Sequence, residues 1–103
     1  MDDIHFKTNT VLGTEIHLDK RQWQRIIMEK HPSMNSKLEW VKETITDPEL
    51  VRQSRWDQKV SLFYKKYIAH FCCVVVKIEN DTGFVITAYL TDKIKIGETQ
   101  WKR

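Results

Sequence analysis

The sequence predicts an α+β domain in which two N-terminal helices pack on a roughly four-stranded antiparallel sheet. Two observations carry this. The hydrophobic period changes from helical to strand-like near residue 50. Beyond that point, Asn80-Asp81-Thr82-Gly83 is a turn with side chains suited to positive φ, set between two long apolar-rich segments. At 103 residues the chain is expected to be a single domain, 1–103, because two would each lack the apolar surface to stand alone.

Taken in order, Ile4–Lys7 and Thr14–Leu18 alternate apolar with polar around Gly13, so the leader 1–18 suggests a short hairpin. Asp19 can cap a helix from Lys20 to about Lys30, with Trp23, Ile26 and Ile27 on one stripe. Pro32 ends that helix by pushing His31 out of the α region. Asn35 or Ser36 can cap a second helix, whose apolar face is Leu38, Val41 and Ile45. Asp47-Pro48 stops it, and Pro48 suits the first turn of a short helical piece. Val51–Ser54, Val60–Tyr67, Phe71–Glu79 and Phe84–Thr91 then read as strands.

Alternation divides the last two strands into faces. Phe84, Ile86, Ala88 and Leu90 are all apolar and belong to the core, with Cys72, Val74, Val76 and Ile78. Thr87 and Tyr89 then fall on the opposite face with Phe71, Cys73, Val75 and Lys77. Such a polar-aromatic face can hold an RNA segment by stacking and phosphate contacts. The wet face of any antiparallel sheet carries the same residue types.

Composition bounds the function. With 41% hydrophobic and 30% charged residues, the chain is neither disordered nor collagen-like. No apolar run approaches the ~20 residues of a membrane helix, and the N-terminus has no apolar signal region. Cys72 and Cys73 are adjacent and poorly placed to bridge each other, and no Cys/His ligand spacing exists. A reduced, cytoplasmic protein without metal or other cofactor is expected. The net charge of +3 permits a polyanionic partner, and the bases concentrate in the C-terminal half, where Lys59–Lys77 and Lys93–Arg103 are lysine-rich. A solvated lysine face reads the same way.

Some residues can carry chemistry. His31, at a helix end, can act as an acid or base near neutral pH, or simply favour the helix dipole. Tyr64 can orient or protonate a phosphoryl group, or serve as a core aromatic. Arg52 and Arg55 can neutralise a phosphate through their forked donors, or stand as exposed bases worth little. There is no Gly-rich phosphate loop, nucleophile elbow or carboxylate pair. RNA suits such a chain, because its own 2′-hydroxyl is the nucleophile and the protein need supply only an acid, a base and charge stabilisation.

Five segments resemble a known group: Trp23–Met34 with its His31-Pro32, Ile45–Val51 with its Asp47-Pro48, Phe63–Lys66, Cys72–Lys77 and Gly83–Tyr89 with its Thr87-Ala88-Tyr89. In order and spacing they resemble the phage- and toxin-associated nuclease domains grouped with barnase, EndoU, colicin and RelE-type ribonucleases. The resemblance spans roughly residues 23–101; residues 1–18 have no counterpart. It implies helices on a four-stranded antiparallel sheet and metal-independent RNA cleavage through a 2′,3′-cyclic phosphate. It further implies His31 as the acid or base, Tyr64 as the strand tyrosine, and Thr87 and Tyr89 as phosphate or base contacts. Lys65 and Lys66 stand where the group often carries Arg after that tyrosine.

The expected function is therefore a small ribonuclease, as a toxin or phage-borne effector. Its catalytic candidates are His31, Tyr64 and Thr87, and its substrate-binding candidates are Arg52, Arg55, Tyr89 and Lys66. RNA is the expected partner, with an antitoxin or inhibitor protein as a second. The alternatives are a non-catalytic RNA- or protein-binding module on the same scaffold, and a small structural or regulatory protein.

Overall fold

The computed structural model describes residues 3–103; residues 1 and 2 of the expected leader lie outside them. The chain begins with the hairpin of β1 (Ile4–Asn9) and β2 (Glu15–Asp19). Its turn is held by Thr10 and Thr14, whose hydroxyls are 2.7 Å apart, and by Gly13 at φ 79°. Asp19 then caps α1 (Lys20–Arg25) by accepting a hydrogen bond from the Gln22 amide at 2.6 Å.

The helix does not continue regularly to Lys30. Ile26–Lys30 widens into a π turn, closed by the His31 amide donating to the Ile26 carbonyl at 2.6 Å. A single 3-10 turn, Pro32–Met34, follows, with Pro at its first position. Then comes α2 (Leu38–Thr46), which buries Val41, Thr44 and Ile45. Its N-cap is Lys37 and has no side-chain hydrogen bond, so neither Asn35 nor Ser36 caps it as the sequence suggested; Ser36 instead takes the left-handed backbone at φ 70°. Pro48 starts no helical piece. It is buried and leads directly into β3 (Leu50–Gln53).

The remaining strands are β4 (Val60–Tyr67), β5 (His70–Glu79), β6 (Thr82–Thr91) and β7 (Thr99–Lys102). Asn80 and Asp81, at φ 54° and 68°, make the tight turn between β5 and β6. Gly83 is required there, since a Cβ would lie 2.0 Å from the Lys77 carbonyl oxygen.

The expected architecture is overturned. The helices lie mid-chain after two strands, and the sheet has seven strands in the order β1-β2-β6-β5-β4-β3-β7. It is mixed rather than antiparallel, because β2 runs parallel to β6 over Glu15–His17 and Thr82–Phe84. Two pairings account for the extra strands. The N-terminal hairpin docks through that short parallel contact, and β7 pairs antiparallel with β3, Val51 opposite Trp101. Both join segments distant in sequence, and β7 has a single large apolar residue to announce it. Among the described residues no helix is long and apolar enough to cross a membrane.

Both sheet faces are buried, for different reasons. One carries the main core: Ile16, Leu18, Val51, Phe63, Cys72, Val74, Val76, Val85 and Ala88 pack with Trp23, Ile26, Met34, Val41 and Ile45 from the helical segments. The other carries a smaller cluster of Leu50, Leu62, Tyr64 and Cys73, joined by Phe71, Val75, Tyr89 and Ile94. The face expected to be open is thus partly roofed by the segment after β6.

One strand face also changes phase. Val75 pairs with Thr87 but Val76 pairs with Val85, so Ile86 is the extra residue of a β-bulge. The alternation reverses there. Val85 enters the core and Phe84, expected inside, is 43% exposed, while Ala88 and Leu90 keep the core side and Thr87 and Tyr89 the other.

Candidate functional site

The parallel pairing of β2 with β6 ends at Phe84, so β6 beyond the bulge has no strand on that side. The helical segment covers this edge instead. The Gln22 side-chain amide donates to the Ile86 carbonyl that the bulge leaves outside the ladder. His31, at the end of the π turn, is thereby carried round the edge to the face opposite the helices. Its ring lies against Tyr89, with centroids 5.3 Å apart and planes tilted by 35°.

This contact forms one wall of a cleft of about 790 Å³. Its floor is the sheet itself: Val60 and Leu62 from β4, Val75 from β5, Thr87 and Tyr89 from β6. A second wall is the loop between β3 and β4, with Ser54, Arg55 and Trp56; a third is the segment between β6 and β7, with Lys95 and Ile96. Among the described residues the charged side chains lining the cleft are those of Arg55 and Lys95, and no carboxylate joins them. The Lys95 ammonium stands 5.9 Å from the Tyr89 ring centroid and the Arg55 guanidinium 5.3 Å from that of Trp56.

His31 is half-buried, and its pKa lies below the usual 6.5, first because burial disfavours the imidazolium and second because Lys30 adjoins it. Neutral imidazole therefore predominates at pH 7, in the form that can accept a proton.

Beneath the cleft, Tyr64 and Tyr89 flank the Cys73 thiol. Burial pushes Tyr64 up to about 12, Cys73 up to about 12 and Tyr89 well above 10. These groups hold their protons and stay neutral. Neither cysteine is disulfide-bonded, and both are buried. The Thr87 hydroxyl is buried without a hydrogen-bond partner among the described residues, whereas the Tyr89 hydroxyl has the Cys73 thiol beside it. A buried hydroxyl without a partner is uncommon and calls for an explanation.

The candidates named from the sequence therefore separate. His31, Thr87, Tyr89 and Arg55 meet round the cleft. Tyr89 offers its ring, since its hydroxyl points into the cluster beside Cys73. Three do not reach the cleft. Tyr64 is fully buried and its hydroxyl accepts a hydrogen bond from the Lys95 amide at 3.0 Å, so it holds the Lys95 segment rather than touching a phosphate. Arg52 likewise donates to the carbonyls of Lys95 and Gly97, each at 3.4 Å, and clamps the same segment. Lys66 lies at the far end of β4, its ammonium 5.1 Å from the Phe71 ring centroid.

Sequence reasoning missed Trp56, Lys95 and Ile96. The signal for the first was an indole isolated in the polar run Ser54–Lys59. The other two sit in Ile94-Lys95-Ile96, an alternation within a stretch read only as basic. Gly97 brings that segment home, since its Cα lies so close to β3 that a Cβ would be 2.2 Å from the Gln53 carbonyl oxygen. Among the described residues no three His, Cys, Asp or Glu side chains group as a metal site would need.

In comparison with known proteins, the chain matches no family model, no curated protein and no solved structure.

Proposed function

We propose that the protein is a small ribonuclease that cleaves RNA by attack of the 2′-hydroxyl on the adjacent phosphate, leaving a 2′,3′-cyclic phosphate and a 5′-hydroxyl. The observation that carries this reading is the meeting of His31, Thr87 and Tyr89 in one cleft whose charged lining is wholly basic. The resemblance to the barnase–EndoU–colicin–RelE group supports it through three of the four residues its motifs single out, His31, Thr87 and Tyr89, while the fourth, Tyr64, lies beneath the cleft. His31, neutral at pH 7, acts as the base and takes the 2′-hydroxyl proton as the 2′-oxygen bonds to phosphorus, and the 5′-oxygen leaves as the P–O5′ bond breaks, taking its proton from water. Lys95 and Arg55 stabilise the charge that builds on the phosphate. The Thr87 hydroxyl, without a partner among the described residues, turns about its Cα–Cβ bond to donate to a phosphate oxygen. A cytoplasmic setting fits the two free thiols.

One observation favours a second reading. Among the described residues His31 is the one imidazole lining the cleft, and no carboxyl group joins it, whereas this cleavage uses both a base and an acid. A binding module on the same cleft needs only stacking and charge.

Incubation of the purified protein with single-stranded RNA in EDTA separates them. Cleavage with cyclic-phosphate ends, lost in His31→Ala, is expected; loss of a base typically costs ~10²–10⁴ in rate. Binding without cleavage leaves the second reading, and cleavage undiminished in His31→Ala refutes the role of His31.

A further inference from the structure

The cleavage proposed above uses Arg55 but makes no use of Trp56, which stands beside it in the same wall. Trp56 is 86% exposed, unlike the other three tryptophans. Trp23 is buried, Trp40 stacks on Tyr67 with centroids 4.1 Å apart, and Trp101 packs against the main core. Nor does Trp56 stand singly: Ile96, which lines the same cleft, is 74% exposed, so two large apolar side chains meet water at one rim, and clustered exposure of this kind marks a binding surface.

The loop that holds it is well built. The Ser54 amide donates to the Val60 carbonyl at 2.9 Å, and the Trp56 amide donates to the Ser54 hydroxyl at 3.1 Å. The Lys59 amide donates to the Asp57 carboxylate at 2.9 Å, and the Gln53 side-chain amide to the Gln58 carbonyl at 2.9 Å. Trp56 is therefore presented by an ordered turn. The Arg55 guanidinium stands over the ring, 5.3 Å from its centroid, and the residue is otherwise open to solvent.

We propose that Trp56 is a stacking platform for an unpaired nucleobase of the RNA held in the cleft, next to the phosphate that Arg55 pairs. This rests on the ribonuclease reading and deepens it by naming the substrate class: single-stranded RNA, or RNA whose base is turned out of a helix. The argument is one of complementarity. A flat apolar face beside two cations, with no carboxylate in the cleft among the described residues, matches a base attached to a phosphate. A paired base offers its face to its neighbours in the stack and cannot reach an indole.

The test reads binding apart from cleavage. A short single-stranded DNA of the same sequence lacks the 2′-hydroxyl and cannot be cut, so its affinity reports the cleft alone. Its affinity is measured by fluorescence anisotropy for wild type, Trp56→Ala and Trp56→Phe, alongside cleavage of the RNA and its annealed duplex. Trp56→Ala is expected to weaken binding about 5- to 150-fold, the effect of losing one stacked base. It should raise KM for RNA more than it lowers kcat. Trp56→Phe should retain most of the affinity, and the duplex should be a poor substrate. Circular dichroism of Trp56→Ala should match wild type, since the ring supports no packing. If wild type binds and cleaves and Trp56→Ala does both equally well, the stacking platform is refuted while the ribonuclease reading survives. If binding depends on Trp56 but RNA is not cut, the platform stands and the cleavage reading falls. If wild type neither binds nor cuts, both are refuted.

Discussion

Replacing Tyr64 by Phe tests whether this residue holds the cleft together or works in it. The phenol is fully buried, and its hydroxyl accepts the Lys95 amide at 3.0 Å beside the Cys73 thiol. The substitution keeps the ring, which packs edge-on to Phe71 at 6.2 Å between centroids, and deletes only the oxygen. The loss is that hydrogen bond together with the cost of an amide left without its acceptor, about 1–2 kcal/mol. In a domain of this size each kcal/mol moves Tm by ~4–8 °C, so a fall of ~5–15 °C is expected. Thermal unfolding followed by circular dichroism measures it. Hydrogen exchange locates it, since the Lys95 amide should lose protection while β5 keeps its own. Alkaline titration gives a second check. The pKa of Tyr64 is raised from 10.0 to about 12 in the fold, so the unfolded chain releases that proton first as pH rises. The contribution of Tyr64 is intact below pH 10 and declines between pH 10 and about 12, a decline that should be smaller in Tyr64→Phe. An unchanged Tm with an unchanged Lys95 exchange rate would refute the argument that this hydroxyl anchors the segment.

Two further outcomes follow from the same geometry. His31 has its pKa lowered by burial and by Lys30, so its imidazole titrates below 6.5; because the fold favours the neutral ring, its contribution to stability is present above pH 6.5 and declines as pH falls through the lower folded value. NMR titration reads the midpoint directly, any cleavage should fall away on the same acid limb, and a midpoint at or above 6.5 contradicts the burial argument. In Gly97→Ala the new Cβ would stand 2.2 Å from the Gln53 carbonyl oxygen, a backbone atom that cannot swing aside, so the segment carrying Lys95 and Ile96 must lift from β3 at a cost of about 1–3 kcal/mol. A Gly97→Ala protein with unaltered Tm would refute that close approach.

By itself the sequence determined the local elements and part of the site. The Asp19 cap and the Asn80-Asp81 turn rest on contacts between near neighbours, and Val60–Tyr67 is rich in strand-forming residues, so residue type and spacing were enough. Alternation also placed Cys72, Val74 and Val76 opposite Cys73 and Val75 correctly, because β5 pairs with β4 without interruption. The tertiary structure decided what depends on distant partners. Phe84 and Val85 exchanged faces because one bulge at Ile86 reverses a period-two pattern, and no residue type there announces it. The count of seven strands rested on the parallel docking of β2 against β6 and on the pairing of β7 with β3, contacts that bridge most of the chain. His31, Thr87 and Tyr89 were legible as candidates, but their meeting required the helical segment to wrap the free edge of β6. Tyr64 and Arg52 looked like phosphate ligands because a Tyr or Arg on a strand reads the same in either role. Only the segment after β6, seated over them by the close approach of Gly97 to β3, turned both into its supports.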